Sequence, residues 1–98
     1  VIRHIVFFSA RDEADVERIA EGLRMLADIP HSDFFEVGIN RKVDQIGTEV
    51  DVIVYAEFRD EAALAAYKAD PIYEACTARV RPLREMRIAA DFVSRKTD

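Results

Sequence analysis

The sequence is poor in the residues that mark several common functional classes. A single cysteine in 98 residues excludes an intramolecular disulfide framework and any cysteine-rich zinc or iron–sulfur site. Only two histidines occur, His4 and His31, with no HxH, HxxxH or HxxE spacing, so neither a metal nor a cofactor is expected. Asp44, Glu49 and Asp51 surround a loop without the regular alternation of a calcium site. Tryptophan is absent, and glycine and proline occur three times each, too sparsely for a flexible linker or a second domain. No apolar run approaches the roughly 18 residues of a membrane span. His4, Ser9 and the polar residues 11–13 also interrupt the apolar stretch a signal peptide would need, so a cytoplasmic chain without membrane contact is expected. Basic residues are the minority, 14 Lys and Arg against 19 Asp and Glu, and the net charge of −5 argues against nucleic acid as a partner.

What remains is half hydrophobic and one-third charged (50% and 34%), the composition of a single globular domain over residues 1–98. Residues 2–8 (IRHIVFF) read as a strand with Ile2, His4, Val6 and Phe8 on one face and Arg3, Ile5 and Phe7 on the other. Asp12 can cap a helix in which Val16, Ile19, Ala20, Leu23, Leu26 and Ala27 recur every three or four residues, closed by Asp28 and Pro30. Gly22, unfavourable in a helix interior by up to about 1 kcal/mol relative to Ala, is compatible with close packing against the sheet. Residues 34–39 form a second strand, residues 40–49 a polar loop, and residues 50–58 the strongest strand. In that strand Val52, Val54, Ala56 and Phe58 share one face, and Ile53 and Tyr55 the other. Asp60 caps a short helix bearing Ala63, Leu64 and Tyr67, and Asp70-Pro71 opens another bearing Tyr73, Cys76, Thr77 and Val80, ended by Pro82. Residues 87–93 (RIAADFV) are the last strand.

The order β-α-β-β-α-β, with the second helical region in two pieces, is the ferredoxin-like split pattern: an α+β fold whose four-stranded antiparallel sheet is covered by helices on one face. The other face would leave Ile5, Phe7, Ile53 and Tyr55 uncovered. An apolar patch of that kind marks an interface, so a homodimer closing sheet against sheet is expected.

The segments IRHIVFF (residues 2–8), DVIVYAEF (residues 51–58) and AAYKADPIYEA (residues 65–75), then Pro82 and ADF (residues 90–92), resemble the stress-responsive A/B barrel domain family. That resemblance covers nearly the whole chain and implies a dimeric α+β barrel. It also implies an unassigned biochemical role in many members, a link to stress responses in some plant members, and polyketide cyclisation in a few relatives. In the olivetolic acid cyclase type of relative, the resemblance places a strand histidine on His4 and a helix tyrosine on Tyr67. Two further histidines of that type fall on Tyr73, two residues after Pro71, and on Val52, so both are replaced here. Some members carry a divalent cation near the dimer centre; nothing in the residues themselves calls for one.

His4 is the residue best suited to proton transfer, since an imidazole titrates near neutrality; the alternative is a buried histidine bonded to a carbonyl or to Tyr67. Tyr67 and Tyr73 are candidates to orient a substrate, or are aromatic rims of core-facing helices. With Phe8, Leu23 and Val52 they would line a mostly apolar pocket for a small apolar or aromatic ligand. Cys76, on an apolar helix stripe with no histidine nearby, reads as a small buried hydrophobe. His31 reads as a turn residue facing solvent. Arg79, Arg81, Arg84 and Arg87 form a basic run explained by helix-dipole contacts and pairs across a dimer, with an anion-binding rim as the alternative. Three functions follow: a small homodimeric domain of unassigned role; a cofactor-independent cyclase, isomerase or monooxygenase-like enzyme acting on a small aromatic or polyketide-like substrate; or a binder of a small apolar ligand.

Overall fold

The computed structural model describes residues 1–96. Four strands, β1 (Ile2–Ala10), β2 (Phe34–Ile39), β3 (Val52–Phe58) and β4 (Arg84–Val93), make one antiparallel sheet in the order β2-β3-β1-β4. Helices α1 (Val16–Leu23), α2 (Glu61–Ala69) and α3 (Pro71–Val80) cover one face. The period-two alternation of β1 and β3 places Ile2, Val6, Phe8, Val52, Val54, Ala56 and Phe58 beneath the helices, all buried. Ile19, Ala20, Leu23, Leu64, Tyr67, Cys76 and Val80 close the core from above.

The other face of the sheet has no cover among the described residues. Ile5, Phe7, Ile53 and Tyr55 are half-buried at its centre, and around them Phe34, Ile88 and Phe92 are 46%, 54% and 51% exposed. One charged group interrupts this surface. A guanidinium nitrogen of Arg3 donates to the Tyr55 hydroxyl (2.5 Å) and to Glu57 (2.8 Å), and the Tyr55 hydroxyl donates to Glu57 (2.6 Å). The Glu57 hydrogen bond, then burial, push the Tyr55 phenol up, with Arg3 opposing.

The first helical segment differs from its expected course. A 3-10 turn (Glu13–Asp15), capped by the Asp12 side chain, precedes α1, and a second 3-10 stretch (Arg24–Asp28) follows it. Tightening to three residues per turn buries Leu23, Leu26 and Ile29 at spacings of three and turns Ala27, expected on the apolar stripe, out to solvent. The strand expected to begin at residue 50 begins at Val52, and the last begins at Arg84, three residues before its expected start.

Gly22 packs against helix α3, not against the sheet: a methyl in its place would lie 3.0 Å from Cγ2 of Val80. The Cys76 thiol reaches the Gly22 carbonyl at 3.5 Å across the same contact. Replacement by a larger side chain would drive apart two helices whose partner residues are buried and, for Val80, stiff at χ1. Gly22→Leu should therefore lower the unfolding free energy by about 1–3 kcal/mol, read as a lower urea midpoint at unchanged slope.

Asp51 ties the polar loop to the end of β1. Its carboxylate accepts from the Ala10 amide (2.8 Å) and from the Lys42 ammonium (2.6 Å), and its own amide donates to the Phe8 carbonyl (2.8 Å). Burial pushes the Asp51 carboxyl up, but the Lys42 hydrogen bond, the Ala10 amide and the Lys42 charge together outweigh it and hold the group below its ordinary value. A carboxyl lowered in the folded state stabilises the fold at pH values above its unfolded pKa, and that contribution is lost as pH falls through the folded one. Asp51→Asn should therefore be less stable than the parent at pH 7, and the difference should shrink below about pH 4, as measured by urea unfolding at both pH values.

Candidate functional site

A cavity of about 30 Å³, opening into a hollow of about 360 Å³ that includes its mouth, lies between α3 and the β1–β4 side of the sheet. Its enclosed part is large enough for one or two water molecules. Its walls are His4, Val6 and Phe8 from β1, Val54 from β3, Leu23 and Leu26, Tyr67 from α2, Tyr73, Cys76, Thr77 and Val80 from α3, and Arg84 and Arg87 from β4. The register explains this gathering. Residues 4, 6 and 8 share the helix side of β1, and His4 lies directly opposite Asp91 of β4.

His4 is 1% exposed, and its Nδ1 lies 2.5 Å from a carboxylate oxygen of Asp91. A carboxylate only accepts, so Nδ1–H is the donor in this contact. Among the described residues Nε2 has no partner, and no fully buried side-chain nitrogen or oxygen is left unpaired, so Nε2 is reachable from the cavity. The ring is wedged edge-on between Phe58 (6.2 Å) and Tyr67 (6.1 Å), which hold its plane.

Tyr67 is buried, and its ring meets Tyr73 edge-on at 5.3 Å. Burial, then the neighbouring Tyr73 and Cys76, raise the Tyr67 phenol well above its ordinary value, so the hydroxyl stays protonated and available as a donor. Tyr73 is half-buried at the mouth, where its hydroxyl accepts from Arg87 at 3.2 Å. Of the residues expected on the pocket wall, Phe8 and Leu23 lie on it. Val52 does not: it is fully buried in the core toward the β2 side, and Val54, two residues on and opposite Val6, faces the cavity. His31 is half-buried in the turn before β2, away from the cavity.

Two features escape a reading of the linear sequence. Asp91 is the hydrogen-bond partner of His4, and only strand pairing shows it: the two are 87 residues apart. The basic run also divides. Arg79 reaches Glu21 at 3.7 Å, while Arg84 and Arg87 turn to the cavity. The half-buried Arg84 guanidinium is pushed down by burial, then by the positive charges of Arg87 and Arg81, with Tyr73 opposing.

Cys76 lies on the cavity wall as a small buried group, its thiol pushed up to about 11 by burial, with Arg79 opposing. Almost no thiolate then exists at pH 8. Iodoacetamide at that pH should alkylate the native protein at least about tenfold more slowly than the urea-unfolded chain, as followed by intact mass.

The sequence profile of the family described as Stress responsive A/B Barrel Domain matches residues 2–94. A dimeric ferredoxin-like protein of unknown function from Thermobifida fusca is 28% identical, with a TM-score of 0.80 over 95% of this chain and 90% of that one. A dabb family protein with a ferredoxin-like fold from Mesorhizobium loti is 26% identical, with a TM-score of 0.74 over 95% of each chain. A cofactor-independent oxygenase from Streptomyces nogalater shares the fold at 17% identity, with a TM-score of 0.72 over 98% of this chain and 94% of that one. No curated protein matches.

Proposed function

This chain belongs to the stress responsive A/B barrel domain family, and on that footing we propose that it acts as a homodimer whose subunits each carry a site for cofactor-independent proton transfer. The substrate is a small aromatic or polyketide-like molecule. The observation that carries the reading is the His4–Asp91 contact of 2.5 Å at the wall of a cavity roofed by two tyrosines. A buried imidazole with one nitrogen held by a carboxylate and the other facing an apolar cavity is built as a general base. In the step this permits, His4 Nε2 takes a proton from a carbon next to a carbonyl. The C–H electron pair moves into the new carbon–carbon double bond and the carbonyl π pair onto oxygen, giving an enolate. The protonated Tyr67 hydroxyl is the donor for that oxygen. Tyr73 orients the substrate at the mouth. A fold shared with a cofactor-independent oxygenase is in keeping with chemistry performed by side chains alone, and at 17% identity the likeness extends to the fold only.

The homodimer rests on the apolar open face of the sheet, with Ile5, Phe7, Ile53 and Tyr55 at its centre, and on the relative described as dimeric. Native mass spectrometry over a dilution series should give a species of about 22 kDa, twice the chain mass of 11.2 kDa. Ile53→Arg should convert it to monomer, since an unpaired charge would then be buried at the centre of the contact. A parent chain that stays monomeric at micromolar concentration would overturn the assembly.

Proton transfer is tested by following deuterium uptake from D2O at the α-carbon of a panel of aryl ketones by proton NMR. The parent should accelerate uptake, and His4→Gln should lose about 100-fold or more of that acceleration. Asp91→Asn should lose at least about tenfold through misorientation of the ring. Full acceleration by His4→Gln, or none by the parent, would remove His4 from the proposed role.

A further inference from the structure

We infer that the helix-side cavity selects a small aromatic ligand bearing a carboxylate, which Arg84 and Arg87 receive at the mouth while the ring points toward Tyr73 and Tyr67. This rests on the reading that the same cavity is the working site, and it adds the chemical class of what enters.

The first observation is a break in strand alternation. Residues three apart on a regular strand face opposite sides of a sheet. Arg84 and Arg87 are three apart, yet both line the cavity. The register shows why: Phe8 pairs with Arg87 and Ser9 with Met86, but Ala10 pairs with Arg84, skipping Glu85. This bulge advances the phase of β4 by one residue and brings Arg84 to the side already held by Arg87.

The second observation is the missing counter-charge. The chain has 19 acidic residues against 14 basic ones. Among the described residues, however, none of those acids comes within ion-pair distance of Arg84 or Arg87, whose one recorded side-chain partner is the neutral Tyr73 hydroxyl. Arg84 is half-buried, so its charge is partly desolvated beside like charges. Two guanidinium groups converging on an apolar, aromatic-walled cavity with no internal anion are arranged to receive one from outside. A planar carboxylate matches the guanidinium fork, and the edges of Tyr67 and Tyr73 suit an aromatic body behind it. Phosphate also matches a guanidinium fork, but the aromatic walls behind the arginines have no use for it, and none of the three glycines lies at this mouth to add backbone amides.

The test compares benzoate, benzamide and inorganic phosphate on the full chain at low ionic strength, by proton–nitrogen NMR titration. Benzoate should shift amide resonances around residues 84–87 and 73–77. Benzamide and phosphate should each bind at least about tenfold more weakly. Arg84→Gln and Arg87→Gln should each weaken benzoate about tenfold while leaving benzamide unchanged, and Arg87→Lys should recover part of the loss. Arg87 is exposed, so its variants report even where Arg84→Gln unfolds, which circular dichroism would reveal. Benzoate titration needs no turnover, and deuterium uptake by neutral aryl ketones needs no carboxylate, which separates failure of anion recognition from failure of proton transfer. Equal binding of benzoate and benzamide, preferential binding of phosphate, or shifts confined to other surfaces would overturn the inference. So would arginine variants that dissociate the dimer yet leave benzoate binding intact, because the arginines would then serve the contact between subunits.

Discussion

Strand β1 has a neighbour on each side and no freedom of register, and the rest of the structure is arranged around that constraint. Successive side chains must point to opposite faces, so the alternation of Ile2, His4, Val6 and Phe8 with Arg3, Ile5 and Phe7 assigns each residue to one of two environments. The first set is sealed by three helices and carries the buried imidazole of His4. The second set faces away, toward a surface too apolar to be at ease in water. The candidate site and the proposed dimer face thus share one strand and are separated by its backbone.

The functional side belongs to pairing between distant segments. The proposed role of His4 as a base depends on Asp91 lying opposite it, and Asp91 lies opposite it because β4 keeps regular pairing from Val93 back to Met86. Past that point the bulge changes the phase, and the same strand that sets a carboxylate against His4 turns two arginines to the cavity.

The order of elements, the helix caps at Asp60 and Asp70, and the division of β1 and β3 into two faces were all legible in the sequence, because each depends on spacing over a few residues. His4, Tyr67 and Tyr73 were singled out by the family resemblance, and they do line one cavity. What was not legible arises from pairing or from a local change of period. Asp91 carries no local signal of its partner. Arg84 and Arg87 read as part of one basic run, and their common side of β4 depends on Glu85 dropping out of register. Ala27 looked buried because a 3.6-residue period was carried into a stretch that winds at three residues per turn. Gly22 signalled close packing correctly, but the partner is a helix that lies far along the chain.

That glycine has a consequence for how anything reaches the cavity. With Val80 seated against it and the Cys76 thiol on its carbonyl, α1 and α3 are joined backbone to side chain without a flexible layer between them. Such a seam resists shear, so the roof behaves as a plate whose easiest displacement is a tilt of its free margin above β4, the margin that Tyr73 and the arginines occupy. Any entry that needs the roof to move is thereby expected at that margin, beside Tyr73.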